Sequence, residues 1–445
     1  MLTSLRLPDA TRNPLSLVGM AIATAMATVF LSLLLLELAG YLTNPYLGLL
    51  LFVAVPTLFV AGLVLIPIGA WIAARRRRLA LADSEWPVLD LRSPRQRGIL
   101  AGLLALTVVN LVIVSIGAYG GVHYMESAAF CGQVCHATME PQAVAHAAWP
   151  HAVVACTQCH IGPGGGAFLE AKLAGTRQLF QVMTNRVPKP VPPPVDLIQP
   201  AAVTCAQCHA PAAVYGDELR VLRDYASDEA NTESTTTLRL RVGNRWTGIH
   251  RHSSLDIEYE ATDDTKASIP VVTVRDGQNV RQFVAAGASS AAAGSRPVRK
   301  MDCTDCHNRP AHTFAFSAER AVDAAIGAGA IPRQLAFVRR EAVAAVGASY
   351  PTREEALEAI AQRLQGFYRT RPEAGAALVT RAVEGTRAVW ARNVFPRMNV
   401  TWGTYPSHLG HVDTPGCFRC HDDEHKAADG SVIKQDCELC HGLPE

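Results

Sequence analysis

The chain carries little charge for its length. Only 18% of its 445 residues are charged, and 41 Lys and Arg against 39 Asp and Glu leave a formal net charge of +2. Nucleic-acid-binding domains typically show a strong basic excess or a basic stripe, so no nucleic-acid partner is indicated. Aromatic residues are also few, at 7%, whereas hydrophobic residues reach 49%. This balance indicates long apolar segments rather than a charged surface.

No cysteine stands outside six closely spaced pairs, and a histidine follows each pair at once. None is therefore left for a structural disulfide. A single Cys-x-x-Cys could belong to a zinc ribbon or a redox dithiol. Repeated pairs with an adjacent His are instead the signature of covalent c-type haem attachment. The thiols bond to the porphyrin and the imidazole becomes the proximal iron ligand. We therefore predict six covalent c-type haems.

The first motif differs from the others by one residue. It has three residues between its cysteines instead of two, which widens the loop but keeps the His beside the second Cys. The predicted attachment cysteines are Cys131/Cys135, Cys156/Cys159, Cys205/Cys208, Cys303/Cys306, Cys417/Cys420 and Cys437/Cys440. The predicted proximal ligands are His136, His160, His209, His307, His421 and His441.

Three long apolar runs precede the first motif, at 15–42, 46–73 and 99–120. Each is long enough to cross a bilayer as a helix, and a cleaved signal peptide does not explain three consecutive runs. The loop between the second and third runs is rich in Arg, whereas the turn between the first two has no basic residue. Because positive loops stay cytoplasmic, we predict a multi-pass bacterial inner-membrane protein with its N-terminus inside. The haem region is then periplasmic.

Nine of the fifteen histidines remain for the second axial position of the irons. The best candidates are histidines near a motif and the two in the His250-Arg251-His252 run. We expect that run to be extended, with both imidazoles on one face. The alternative is that these two histidines are simply exposed at the surface. Met139 follows His136 by three residues and is either an axial ligand or a core methionine under the haem. His123, His146 and His408 are weaker candidates. The predicted second ligands are Met139, His151, His250, His252, His312, His411 and His425.

The predicted fold is a mostly α and irregular multihaem cytochrome with a small antiparallel β insertion and an N-terminal transmembrane helical anchor. Helical periodicity dominates the C-terminal part and predicts helices at 318–328, 332–347, 353–368 and 372–392. β-branched, alternating segments and the turn dipeptide Asp276-Gly277 mark the insertion. The predicted regions are a three-helix anchor at 1–120, a region for haems one to three at 121–216, the β region and linker at 217–297, and a helical region for haems four to six at 298–445.

These motifs resemble the NapC/NirT family of membrane-anchored multihaem cytochromes. The resemblance rests on FCGQVCHATMEP and CTQCHIGPGGGAFLEAKLAGTRQLF, and more loosely on GIHRH, MDCTDCHNRPAH and TYPSHLGHVDTPGCFRCH. It implies oxidation of a membrane quinol, menaquinol or ubiquinol, near the first haem, and delivery of electrons to a periplasmic redox partner. By that match Met139 is favoured as a first-haem ligand and Lys172 as a quinol-site residue. Typical members have one anchor helix and four haems, so the quinol geometry and the acceptor stay open.

The predicted function is electron transfer, with quinol oxidation as a possible activity. Glu37, Glu126 and Lys172 are the candidates for the quinol site and its protons, although Glu37 could simply lie near the outer interface. A reductase of nitrite, hydroxylamine or a sulfur oxyanion is one alternative; it needs an open iron position, and the Cys-x-x-Cys-Lys motif of such a haem is missing. The other alternative is a wiring subunit, which receives its electrons from another subunit of a respiratory complex.

Overall fold

The computed structural model divides into two compact units, Met1–Ser127 and Ala128–Glu445. It describes residues 13–38, 55–78, 92–134, 136–148, 150–161, 165–192, 200–201, 203–209, 216–244, 246–288 and 297–442.

The first unit consists of three long apolar helices, α1 (Pro14–Leu38), α2 (Val55–Arg78) and α3 (Pro94–Met125). By length and composition, each contains a stretch that could cross a membrane: Pro14–Ser32, Val55–Arg76 and Val108–Met125. The predicted apolar runs are therefore helical wherever the structure describes them. Residues 39–46, which include the end of the first run and the start of the second, lie outside the described residues.

Helices α1 and α2 pack through glycines. A Cβ added at Gly19 would lie 2.6 Å from the carbonyl oxygen of Gly62, and one added at Gly62 would lie 2.8 Å from the amide nitrogen of Ala23. The two backbones thus approach too closely for a side chain at either position. Ser16 strengthens the contact, since its hydroxyl donates to the carbonyl of Ile66 at 2.8 Å. Small residues and one polar contact are the usual means by which helices associate in lipid.

The second unit begins with short helices around the first motifs and continues into two antiparallel sheets. The helices are α4 (His136–Ala147), α5 (Cys156–His160) and α6 (Gly165–Met183). One sheet has the order β1-β2-β8, with β1 (Glu218–Tyr225), β2 (Glu233–Leu240) and β8 (His441–Gly442). The other has the order β6-β3-β4-β5-β7, with β3 (Asp256–Glu260), β4 (Val271–Asp276), β5 (Asn279–Val284), β6 (Val298–Lys300) and β7 (Lys426–Ala427).

The β region is larger than predicted. We expected one small sheet, but β1 pairs along its whole length with β2, and the last residues of the sixth motif add a third strand, with His441 opposite Leu240. The predicted hairpin at Asp276-Gly277 is present, since β4 and β5 pair up to Asp276 and Asn279 on either side of the turn. Gly277 has a φ of +60°, a backbone conformation that favours glycine. Local alternation cannot reveal that a C-terminal dipeptide will pair with a strand far upstream.

Four helices between the fourth and fifth motifs pack around one apolar core. They are α7 (Ala318–Gly327), α8 (Val338–Val346), α9 (Arg353–Tyr368) and α10 (Ala376–Asn393), and a final short helix, α11 (Cys437–Cys440), carries the last motif. Val322, Leu364 and Trp390 are at most 1% exposed in this core. These helices form because their apolar residues recur at helical spacing and so bury one face of each.

Helix α8 begins later than its sequence suggests. Periodicity predicts a helix from Pro332, but the chain is irregular as far as Phe337, whose φ is +60°. Asn231 explains this, since its amide nitrogen donates to the carbonyls of Arg333 and Leu335 at 3.0 and 2.8 Å. These carbonyls are thus held by the β1–β2 turn rather than by a helix.

Candidate haem-attachment sites

Each motif that the structure describes in full forms one tight helical turn. In the third, fourth and fifth motifs, the backbone amide of the His donates to the carbonyl of the first Cys, at 2.8, 2.8 and 3.1 Å. This bond brings both thiols and the imidazole to one side of a single turn. Asp302 caps the fourth turn and Asp436 the sixth, each carboxylate accepting a backbone amide two residues on, at 2.8 and 2.9 Å.

The predicted attachment cysteines are not equally enclosed by the protein. Contrary to what a buried haem site would suggest, Cys208, Cys303 and Cys437 are exposed, whereas the other described attachment cysteines are half-buried. Cys208 is still held in the turn of the third motif, since its backbone amide donates to the carbonyl of Cys205 at 3.2 Å. It also lies near the second motif: burial raises the pKa of Cys159, and the Cys208 thiol adds to this effect. The motif is the same at each site, so the sequence has no signal for this difference in exposure.

The first motif has a different local structure. Phe130–Val134 forms a π-helical turn, and α4 begins at His136. The wider turn accommodates the extra residue between the cysteines, because a π-turn holds one more residue than an α-turn. Cys135 and the side chain of His136 lie outside the described residues. Met139 is half-buried on α4.

Five histidine pairs bring the later motifs together with distant parts of the second unit. In each pair, one imidazole belongs to a motif and the other comes from elsewhere in the sequence. The distances between ring centroids are 6.1 Å for His160–His312, 6.0 Å for His209–His151, 6.4 Å for His307–His250, 5.9 Å for His421–His252 and 6.2 Å for His441–His411.

These separations fit a metal between the two rings of each pair. Two imidazoles that bind one metal from opposite sides, each through a nitrogen at about 2 Å, have ring centres roughly 6 Å apart. The rings are too far apart to stack directly, and the cysteines of one motif lie beside each pair. The donor set therefore fits an iron porphyrin with two axial histidines.

Backbone carbonyls orient several of these imidazoles. The Nδ1 atoms of His151, His252 and His312 lie 2.9, 2.7 and 3.0 Å from the carbonyls of Pro310, Ile249 and Gln142. A carbonyl can only accept, so Nδ1 carries the proton and donates. The lone pair on Nε2 is then available for a metal, which is the usual outer-shell arrangement of a ligating His.

The His250-Arg251-His252 run is not extended, contrary to the sequence-based expectation. It lies in a short 3₁₀-helix, Ile249–Ser254. The turn directs the two imidazoles to different motifs, His250 to the fourth and His252 to the fifth. A single short segment thus contributes to two neighbouring sites, which an extended strand with both rings on one face would not do.

His425 lies apart from the paired histidines, although its position beside the fifth motif suggested a ligand. It is 1% exposed, its Nδ1 lies 2.9 Å from both carboxylate oxygens of Asp422, and its Nε2 lies 2.8 Å from the carbonyl of Ile269. Both ring nitrogens are therefore already hydrogen-bonded. His408 and His146 also use Nε2, on the carbonyls of Thr265 and Val154 at 2.8 and 3.1 Å.

Successive motifs are neighbours in space. The first and second motifs are in contact, since a hydrogen bond from the Cys131 thiol lowers the pKa of Cys156 to about 6. In the later motifs, burial is the main cause of a raised thiol pKa, and the charge of a cysteine in the adjacent motif is the second cause. That neighbour is Cys205 for Cys159 and Cys303, and Cys417 for Cys306 and Cys440.

One curated relative matches almost the whole chain. The cytochrome c-type protein ImcH of Geobacter sulfurreducens is 36% identical over 448 residues, which cover 97% of this chain and 88% of the relative. The chain belongs to the ImcH family of c-type cytochromes. Electron transfer by c-type haem follows in general terms for this ImcH-family chain. No protein-family model and no solved structure matches, so the resemblance to NapC/NirT proteins stays a prediction.

The three candidates for a quinol site are only partly described. Glu126 is half-buried just after α3, in the first unit. The side chains of Glu37 and Lys172 lie outside the described residues, although both backbones are helical, in α1 and α6. The quinol site therefore stays a prediction from the sequence.

A buried polar cluster between the fourth and fifth motifs has no signal in the sequence. Asp305, inside the fourth motif, accepts from the Tyr259 hydroxyl at 2.5 Å and from Lys266 Nζ at 2.6 Å. Arg419, inside the fifth motif, donates to the Asp305 carbonyl at 2.7 Å. Burial and the nearby Asp305 carboxylate raise the pKa of Tyr259, so the phenol stays protonated. The cluster thus connects two motifs through Asp305 and Arg419, each of which lies between the two cysteines of its own motif.

Proposed function

We propose that this ImcH-family chain is a membrane-anchored electron-transfer protein with six covalent c-type haems, five of them held by two histidines each. The five imidazole pairs at 5.9–6.4 Å carry this proposal. Haem bound there would supply one-electron redox chemistry. The chain's own contribution is to fix both axial nitrogens in advance and to exclude other ligands from the iron.

For the first site, Met139 is proposed as an axial ligand of the iron. Met139 is half-buried and lies three positions after His136 on α4, so the two positions belong to one face of the helix. A thioether ligand raises the potential of a haem relative to a second imidazole. The first site would then differ electronically from the other five.

Transfer is favoured over catalysis at an iron because the paired histidines would hold a bound haem iron from both sides. A reductase of nitrite, hydroxylamine or a sulfur oxyanion needs one position free for its substrate. The five histidine pairs leave only the first motif for such a role. No described contact at the first motif supports that alternative.

The proposed electron donor is a membrane quinol, menaquinol or ubiquinol, and the proposed acceptor is a periplasmic redox protein. Along the sequence, α3 ends at Met125 and the first attachment cysteine, Cys131, follows almost at once. Glu126 lies between them in the sequence, where its carboxylate could accept a proton that a quinol releases as it is oxidised. A wiring subunit fed by another subunit of a respiratory complex shares these features and is the competing proposal.

Spectroscopy of the purified full-length protein tests the electron-transfer proposal. We expect six haems per chain in a pyridine haemochrome assay and only low-spin signals in electron paramagnetic resonance (EPR). Clearly fewer haems would overturn the haem assignment. A high-spin signal from the native protein would instead favour a reductase.

Reduction by a quinol analogue tests the donor. We expect Met139→Ala and a quinone-site inhibitor to block haem reduction. In the control variant Met183→Ala, the haems should be reduced at the native rate, because Met183 is 75% exposed at the end of α6. Unchanged reduction in Met139→Ala overturns the quinol site near the first haem. Reduction that requires a copurifying subunit favours the wiring alternative.

A further inference from the structure

Arg309 lies between two proposed iron ligands in the sequence, two residues after His307 and three before His312. Its guanidinium carbon lies 4.5 Å from the centroid of the Tyr405 ring. Tyr405 is 5% exposed, and its hydroxyl donates to the carbonyl of Val191 at 2.9 Å. The aromatic face thus holds the guanidinium in place.

The Arg309 charge has no acidic partner within the part of the chain that the structure describes. Its Nε atom is buried and has no hydrogen-bond partner there. A buried hydrogen-bond donor that lacks a partner costs stability.

Arg419 is a contrasting arginine, because its guanidinium has several hydrogen-bond acceptors. Arg419 is 8% exposed and donates to three backbone carbonyls, those of Gly416, Lys266 and Asp305, at 2.8, 3.0 and 2.7 Å. Arg309 has no comparable set of acceptors among the described residues. An ordered water could satisfy the Nε hydrogen but not the charge. A bound anion would satisfy both.

The position of Arg309 indicates which attachment site would supply the anion. Tyr405, whose ring contacts the Arg309 guanidinium, packs in one apolar cluster with Ala145 of α4, and the carbonyl of Gln142 on the same helix accepts from His312 Nδ1 at 3.0 Å. His312 pairs with His160 of the second motif at 6.1 Å. The guanidinium therefore lies beside the second site.

We propose that Arg309 binds a propionate carboxylate of the haem at the second attachment site. The inference rests on the proposed function, since it requires a haem there. Guanidinium and carboxylate match in geometry as well as in charge. By holding a positive charge beside this iron, Arg309 stabilises the reduced state and raises the reduction potential of that haem. Arg309 is thus a positioning and tuning residue for the second site.

Potentiometric titration of the full-length haem-loaded protein tests this role. We expect Arg309→Met to lower the potential of one haem by a tenfold change in its reduction equilibrium, about 59 mV for one electron. Arg309→Lys keeps the charge and should restore most of the native value. Arg371→Met is the matched control: Arg371 also lies over a ring, 4.0 Å from the Phe367 centroid, but it donates to the Phe367 carbonyl and belongs to the helical region without motifs.

The outcomes separate this inference from the proposed function. Six haems with unshifted potentials in Arg309→Met would overturn the role of Arg309 alone. Fewer than six haems in the native protein would overturn the proposed function first. If Arg309→Met does not accumulate, an experimental structure of the native holoprotein decides. A guanidinium within hydrogen-bonding distance of a haem carboxylate supports the proposal, and one that contacts only water or backbone overturns it.

Discussion

The imidazole of His312 lies 6.1 Å from that of His160, ring centroid to ring centroid, although the third and fourth motifs separate them in the sequence. Other motifs also pair with a histidine from a distant segment. His151 precedes the second motif in the sequence, but its ring lies 6.0 Å from that of His209 in the third. Each pair therefore joins sequence-distant segments. Metal bound at such a pair would close a long loop, so haem attachment and folding of the second unit should depend on each other.

Replacing His312 by Ala should convert one haem in six to a high-spin state, because the second iron would lose an axial nitrogen. Quantitative EPR of the oxidised full-length protein measures this fraction. His425→Ala is the control: its ring contacts Asp422 and Ile269 rather than a motif histidine. It should cost about 2 kcal/mol of stability through unsatisfied buried partners while all haems stay low-spin. A high-spin signal in His425→Ala would show that the ligand assignment is wrong.

Gly416→Ala should impair haem attachment at the fifth motif. Gly416 has a φ of +46°, and an added Cβ would collide with the carbonyl oxygen of Gly410. Because both colliding groups belong to the backbone, neither can move easily. We expect the variant to lose about 3 kcal/mol of folding stability and to bind fewer than six haems per chain. Gly410→Ala is the matched control, since φ is +82° there but no atom lies within 4 Å of the added Cβ. It should cost about 1 kcal/mol from the backbone conformation alone. Equal haem contents and melting temperatures for the two variants would contradict the collision.

Asn231→Asp should destabilise the helical region by about 3 kcal/mol. Asn231 is fully buried, and its amide donates to two carbonyls, so a carboxylate oxygen would face carbonyl oxygens at the same place. Asn185→Asp is the control, because Asn185 has a similar φ, +51° against +48°, but is exposed. The melting temperature of each variant measures the effect. A small change in Asn231→Asp would mean that these hydrogen bonds do not hold the Arg333–Leu335 carbonyls in place.

Local sequence rules succeeded where the signal is local. The boundaries of α9 match the periodic segment from Arg353 to Tyr368, and the hairpin at Asp276-Gly277 is where its turn dipeptide indicates. They failed where a distant side chain intervenes. Asn231 keeps the chain before Val338 out of the helix, and the turn at Ile249–Ser254 sends His250 and His252 to different motifs. Neither effect leaves a trace in the periodicity of the segment concerned.

The sequence by itself determined the chemistry of this ImcH-family chain. The thiols and the histidine that follows them are adjacent in the chain, so covalent spacing alone defines an attachment motif, and apolar length alone defines a candidate span. Only the tertiary structure decided which remote histidine faces which motif, that His425 is enclosed by Asp422 and Ile269, and that the Nε atom of Arg309 is buried without a hydrogen-bond partner among the described residues. These relationships arise from packing between segments far apart in the sequence, which composition and spacing do not encode.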